Sequence, residues 1–323
     1  MITMRAAQLL SYGSPDVIAV NVVQQPAPGR GEVLVRVRAT SINGGELALR
    51  QGRLRLVSGS RFPKALGLDF SGEIAQVGDG VAGFTIGDRV WGVLAATRLI
   101  IRQGPLGSAA EFVVVEATRV SAMPSGVDFV EAVSMISGTT AITALRDVAP
   151  VRPGHRVLVR GGTGGVGAIA VQLAKSRGAH VTVLVSAATL DAARDLGADI
   201  ALDYAITGAA DLGAYDVILD TVGTQLAAYR RLLAPGGRFV AIAARPALRG
   251  LAAVIGSTVY GARRIRFFSD NPRHAMFADL AALVNAGAIR PVVDSVYPLD
   301  QIAAAHRATE AGGGVGKRVV QVA

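Results

Sequence analysis

The stretch Arg156-Val-Leu-Val-Arg-Gly-Gly-Thr-Gly-Gly-Val-Gly167 runs from apolar residues into a glycine-rich turn. Gly162, Gly164 and Gly167 form GxGxxG, a pattern with weight only where a strand leads in and a helix leads out. Both are present. Val166, Ile169, Ala170, Leu173 and Ala174 fall on one helical face, closed by Gly178 before the next apolar run. The first amides of such a helix point at an anion, here the pyrophosphate of a dinucleotide. The expected duties are a tight turn at Gly162, close approach of backbone to phosphate at Gly164, and helix-against-strand packing at Gly167. Thr163, Gly165 and Val166 complete the loop. A glycine-rich turn that binds nothing ranks well behind, because strand, helix and second strand are all in register.

From this centre an α/β rhythm extends in both directions. Strands are expected at Arg156–Val159, Val181–Val185, Ile200–Leu202, Val217–Asp220, Arg238–Ala241 and Arg264–Phe268, enough for a doubly wound parallel sheet. Residues 1–125 read instead as short strands punctuated by Gly and Pro, an all-β, barrel-like substrate domain. The dinucleotide domain is expected over 126–269. In the segment 270–323, a helix from about Asn271 (Met276, Leu280, Leu283, Val284), a strand at Val292–Val296, a helix near Leu299–Thr309 and a strand at Arg318–Val322 are expected to rejoin the first domain.

The second strand ends at Ser186, where a site choosing NAD usually has an acid for the ribose 2′-hydroxyl. A hydroxyl can donate to a 2′-phosphate and a carboxylate would repel it, so NADPH is the expected cofactor, with Arg194 as a source of charge from the following helix. The bland readings are that Ser186 caps that helix and Arg194 is a solvated surface residue.

Composition narrows the chemistry. The 323 residues are 51% hydrophobic and 18% charged, as in an ordered globular protein. There is no cysteine, which excludes disulfides, thiolate catalysis and cysteine-ligated metal. His155, His180, His274 and His306 stand far apart and begin no metal motif. No apolar run approaches the ~20 residues of a bilayer span, so a cytoplasmic protein without a membrane partner is expected. The net charge of +9 is dispersed. Its densest stretch, Arg50, Arg53, Arg55, Arg61 and Lys64, lacks a nucleic-acid signature and reads as a solvated loop or a small-anion site, rimming the cleft.

Several stretches together resemble the medium-chain dehydrogenase/reductase superfamily, specifically its zinc-free quinone oxidoreductase branch. They are Gly67-Leu-Asp-Phe-Ser-Gly-Glu73, Gly87-Asp-Arg-Val-Trp-Gly92, Gly138-Thr-Thr-Ala141, the Gly161–Gly167 loop, Asp216-Val-Ile-Leu-Asp-Thr-Val-Gly223, Pro235-Gly-Gly-Arg-Phe239 and Gly316-Lys-Arg-Val-Val320. The resemblance implies a GroES-like β-barrel domain, a Rossmann domain, a C-terminal segment returning to the first, and a homodimer paired through the Rossmann sheet edge near Arg264–Phe268. Zinc-dependent relatives place a Cys and a Gly-His-Glu where this chain has Asn43 and Gly67-Leu-Asp69. The same correspondence puts Asn43 and Thr140 beside the nicotinamide as active-site candidates. The alternative readings are a turn at Gly44-Gly45 fixed by the Asn43 amide, and a helix cap at Thr140. Ala48 stands where many members carry a Tyr, and Thr189 where they carry a basic residue.

The function expected is reduction of a quinone, enone or related conjugated carbonyl by hydride from NADPH, without metal, with Asn43 donating to the developing oxyanion. The rivals are an enoyl reductase for acyl thioester or polyketide intermediates and, from another class, a non-catalytic NADPH-binding or RNA-binding module.

Overall fold

The computed structural model describes residues 2–95, 106–243, 265–268 and 271–322. In chain order its strands are β1 Thr3–Leu9, β2 Ile18–Gln24, β3 Glu32–Ser41, β4 Lys64–Ala65, β5 Asp69–Val77, β6 Arg89–Val93, β7 Phe112–Glu116, β8 Val120–Ala122, β9 Arg156–Arg160, β10 His180–Val185, β11 Ile200–Asp203, β12 Tyr215–Asp220, β13 Leu233–Ala241, β14 Ile265–Phe267, β15 Val293–Pro298 and β16 Lys317–Gln321.

Strands β9, β10 and β12 are nearly continuous Val, Ile and Leu because helices cover both faces of their sheet, so alternation would leave polar groups in the core. They form a parallel sheet of order β11-β10-β9-β12-β13-β14. The chain leaves β9 towards β10 and returns on the other side at β12. The crevice above the carboxyl ends at that reversal is where such sheets bind ligands. The expected strand at Arg264–Phe268 is Ile265–Phe267, and Arg264 lies outside the described residues.

In the first domain β3 is the organising strand. One edge pairs with β5; the other is shared, β7 taking Glu32–Arg36 and β16 taking Ala39–Ser41. The chain's last strand thus closes the first domain's sheet, and β15 adds to it in parallel. The last helix before β15, His274–Asn285, begins three residues later than expected and buries Phe277 and Leu280 most deeply. The all-β reading of the first domain misses the helix Gly44–Arg50, whose inward face is Glu46, Leu49 and Arg50. Two of those three are charged, so the segment shows no apolar helical period. Helix Phe129–Met135 bridges the domains behind a capping box between Asp128 and Glu131. Among the described residues no helix is long and apolar enough to cross a membrane.

Candidate active site

Strand β9 ends in the turn that opens helix Gly165–Ser176. Its glycines divide their work differently from the expectation. The left-handed turn falls at Gly161 (φ +75°), not Gly162. Gly162 is needed for packing, since a Cβ there would stand 2.8 Å from Val183 Cγ1 on β10. At Gly167 a Cβ would meet the Gly161 carbonyl oxygen at 2.1 Å, the expected helix-against-strand contact. At Gly164 the nearest protein atom would be 3.6 Å away. The protein leaves room there, as a cradle for a ligand's phosphates requires. The first-turn amides of Gly165, Val166 and Gly167 have no helical carbonyl four residues back, as at any helix N-terminus.

The loop opens on a cavity of about 780 Å³ lined by Gly161, Thr163, Ser186, Thr189, Tyr204 and, from the tail, Gly312–Gly314 among others. Ser186 and Thr189 share a hydroxyl contact of 3.1 Å, and Thr163 Oγ1 lies 3.4 Å from Thr189 Oγ1. Ser186 occupies the helix N-cap position, but its side chain makes no capping bond. Arg194 is absent from the lining: its guanidinium pairs with Asp191 on the exposed face of its helix, as the bland reading holds. Below the cavity Arg160 ion-pairs with Asp220, donates to the Thr224 carbonyl (2.6 Å) and stacks on Tyr229, 3.7 Å from the ring centre. It thereby holds the loop that forms the cavity's far wall. Gln225 in that loop has φ +53°, a left-handed conformation costly for a side-chain-bearing residue.

Asn43 and Thr140 do not line this cavity. Thr140 is half-buried inside helix Gly138–Ile142, not at its cap; the cap position belongs to Ser137, whose hydroxyl donates to the Gly165 carbonyl (2.9 Å). Asn43 sits at the start of helix Gly44–Arg50 without a capping bond, so its amide does not fix the Gly44-Gly45 turn. Instead Asn43 Nδ2 donates to Asp69 Oδ2 (2.9 Å), and Oδ1 accepts from Lys317 Nζ (2.6 Å). The ammonium also donates to the Ile42 carbonyl (3.1 Å) and lies 3.4 Å from Asp69 Oδ2. Ser41 Oγ donates to the same carboxylate oxygen at 2.7 Å. Glu46 is buried beside them, its Oε1 accepting from the Leu68 amide (3.1 Å) and its Oε2 without a partner. Burial pushes the Glu46 carboxyl up to about 8; the Asp69 charge adds to this, while Lys317 and hydrogen bonds from Asn43 and Leu68 oppose it.

The tail joins this cluster to the dinucleotide loop. Gly316 N–H donates to the Thr163 carbonyl (2.7 Å), and a Cβ at Gly165 would stand 2.5 Å from Lys317 Cδ. Asn43, Lys317 and the helix N-terminus are therefore neighbours. Sequence reading had Asn43 but missed Lys317, Glu46 and Tyr204. Lys317 lies far along the chain from the other members of its cluster, Tyr204 falls past the strand that follows Ser186 and Thr189, and Glu46 carries no apolar helical signal. The only trace of Lys317 was its place in Gly316-Lys-Arg-Val-Val320.

Comparison with known proteins gives a consistent picture. Residues 29–125 match a family model described as alcohol dehydrogenase GroES-like domain, and residues 196–320 one described as zinc-binding dehydrogenase. The chain is 32% identical to a mitochondrial NAD(P)H oxidoreductase of Danio rerio, with 96% of this chain and 89% of the relative covered. It is 30% identical to a chloroplast envelope quinone oxidoreductase homolog of Arabidopsis thaliana, with 98% of each covered. Among solved structures, the quinone oxidoreductase of Coxiella burnetii superposes with a TM-score of 0.89 at 27% identity over all of both chains.

The second family description raises a metal, and among the described residues the donors around Asn43 do not fit one. Zinc is held by Cys, His and carboxylate. The cluster around Asn43 offers oxygen donors alone, and the ammonium of Lys317 lies among them. His274 is engaged with the Val120 carbonyl, and His306 is buried beside Arg50. Among the described residues no group of three His, Cys, Asp or Glu could hold a metal.

Proposed function

The chain belongs to the medium-chain dehydrogenase/reductase superfamily, in its quinone oxidoreductase branch, and on that premise we propose that it is an NADPH-dependent, zinc-independent reductase of quinones, enones or related conjugated carbonyls. The observation that carries this reading is the Lys317 ammonium held by Asn43, Asp69 and the Ile42 carbonyl beside the dinucleotide loop. With an ammonium standing among these oxygen donors, the reading calls for an acceptor that spreads the incoming negative charge over its own conjugated system.

A bound nicotinamide dinucleotide supplies the hydride. The amides of Gly165, Val166 and Gly167 would hold its pyrophosphate, and the hydroxyls of Ser186, Thr189 and Tyr204 surround the space for the ribose 2′ end. Without a carboxylate there, a 2′-phosphate is not repelled, which favours NADPH. One Asn43 Nδ2 hydrogen goes to Asp69; the amide also lies 3.4 Å from the Ser41 carbonyl, long for a hydrogen bond, and beside Glu46. A substrate oxygen would take the second Nδ2 hydrogen in place of Glu46 and the Ser41 carbonyl. The Lys317 bond to Asn43 Oδ1 polarises the amide and makes it a stronger donor. Thr140 lies on the helix packed against Gly165–Ser176 and completes the proposed site.

The test is NADPH consumption against a panel of acceptors after exhaustive chelation. Quinones and enones should turn over and unconjugated ketones should not. Activity lost on chelation and restored by zinc would sink the reading; turnover of enoyl thioesters alone would move it to the rival reductase; binding of NADPH with no turnover would make the chain a binding module. Fluorescence titration tests cofactor choice in the same preparation: NADPH should bind more tightly than NADH, and Ser186→Asp should reverse the order.

A further inference from the structure

The basic stretch expected to be one solvated loop divides in two. Arg50 and Lys64 turn inward: Arg50 pairs with Glu310 (2.7 Å) and reaches the Gly13 carbonyl, while Lys64 Nζ donates to the Ser58 carbonyl (2.7 Å) and lies 4.7 Å from the Phe62 ring centre. Arg53, Arg55 and Arg61 stay exposed. Between them stand Leu56, 95% exposed, and Val57, 59% exposed. This knuckle is well braced. Tyr12 Oη meets Ser58 Oγ at 2.7 Å and bonds the Gly59 carbonyl, and Ser58 Oγ reaches the Leu54 carbonyl at 2.9 Å. Leu54 and Phe62 pack against the core of the first domain. One short segment therefore turns a leucine inward and holds two apolar tips out in water, ringed by guanidinium groups.

We propose that this knuckle docks on an anionic lipid surface, with Leu56 and Val57 entering the acyl boundary and Arg53, Arg55 and Arg61 meeting the headgroup phosphates. Charge complementarity selects the occupant. A second copy would set three guanidiniums against three, and an apolar protein groove would leave all three unpaired. The carboxylate nearest in charge to Arg53, Glu310, is tied by Gln51 and Arg50, and Arg53 helps hold it ionised. Surface docking needs no spanning helix, only an apolar tip and cations that add to it. The earlier expectation of no membrane partner rested on spans alone. The knuckle follows the C-terminal end of helix Gly44–Arg50. The docking itself does not depend on what the site reduces.

Flotation of the full chain with vesicles tests it. The protein should rise with vesicles containing phosphatidylserine, not with pure phosphatidylcholine, and high salt should release it. Leu56→Ser with Val57→Ser should lower partition about tenfold or more. Replacing Arg53, Arg55 and Arg61 by Gln should remove the preference for the anionic surface. Unchanged melting and NADPH titration show that these variants are folded. Equal flotation on both vesicles, none on either, or full partition by the serine variant would overturn the proposal. So would a dimer in sedimentation that the serine variant loses, which would give the face to a second copy. Flotation as expected with no acceptor turned over would refute the proposed reduction and leave the docking standing.

Discussion

Glu46 keeps a carboxyl group where water does not reach, 1% exposed, with one oxygen unpartnered. Its pKa is about 8 in the fold against 4.5 for the free group. Between those values the unfolded chain has lost the proton and the folded chain retains it, so the contribution of Glu46 to stability should fall as pH rises from about 4.5 to 8 and level off above, while buried His306, pushed down to about 4, adds a rise below 6.5. The full penalty is about 2–4 kcal/mol at one pKa unit per ~1.4 kcal/mol, discounted for relaxation. Glu46→Gln keeps the oxygen that accepts from Leu68 and removes the titration. Its melting temperature should lack the fall of the parent between about pH 6.5 and 8 and lie above that of the parent at pH 8; an unchanged slope would mean that Glu46 is ionised in the fold. At this scale the sequence was a partial guide. Ser186 was placed correctly at the end of β10, because a strand's end is a local property. Arg194 was not, because whether a helix residue faces the cavity or Asp191 depends on how the helix is rolled against its sheet.

The loop between β9 and its helix separates ligand from packing within a few residues. Gly164→Ala should fold normally, since its Cβ meets no protein atom closer than 3.6 Å. It should nevertheless weaken NADPH by about tenfold or more, the factor that ~1.4 kcal/mol of displaced contact represents. Gly167→Ala puts a carbon 2.1 Å from the Gly161 oxygen and should destabilise the fold by about 1–3 kcal/mol or more through forced backbone shifts. Calorimetry and cofactor titration on the two variants separate these effects. Equal losses of stability would show that Gly164 serves packing as well. The glycine pattern was legible because strand, turn and helix are contiguous. Its inner division was not, since a glycine required for φ, as at Gly161, and one required for space, as at Gly162, read alike.

The tail joins the parallel sheet of the second domain to the two sheets of the first. Strand β14 ends the parallel sheet, and among the described residues its outer edge is unpaired, with Phe267 51% exposed. An open apolar edge invites pairing with another copy. A homodimer at micromolar concentration is the expected result of sedimentation, and Phe267→Lys should shift it towards monomer. A parent protein that sediments as a monomer would remove the edge from consideration.

What the sequence by itself determined was everything that a run of neighbours can encode: the apolar strands β9 to β13, the glycine turn, the change from short strands to an α/β rhythm, and the lack of cysteine that removes thiolate zinc ligands. It also supplied Asn43, through a resemblance spread along the chain. Only the tertiary structure decided what stands around Asn43. Lys317 arrives from the last strand and Asp69 from the second edge of β3, 248 residues apart, and they meet because β5 and β16 pair with opposite edges of one strand. The same reason hid the inward turn of Arg50 and Lys64 and the outward turn of Leu56: burial is a property of what packs across from a residue, and no local pattern carries it.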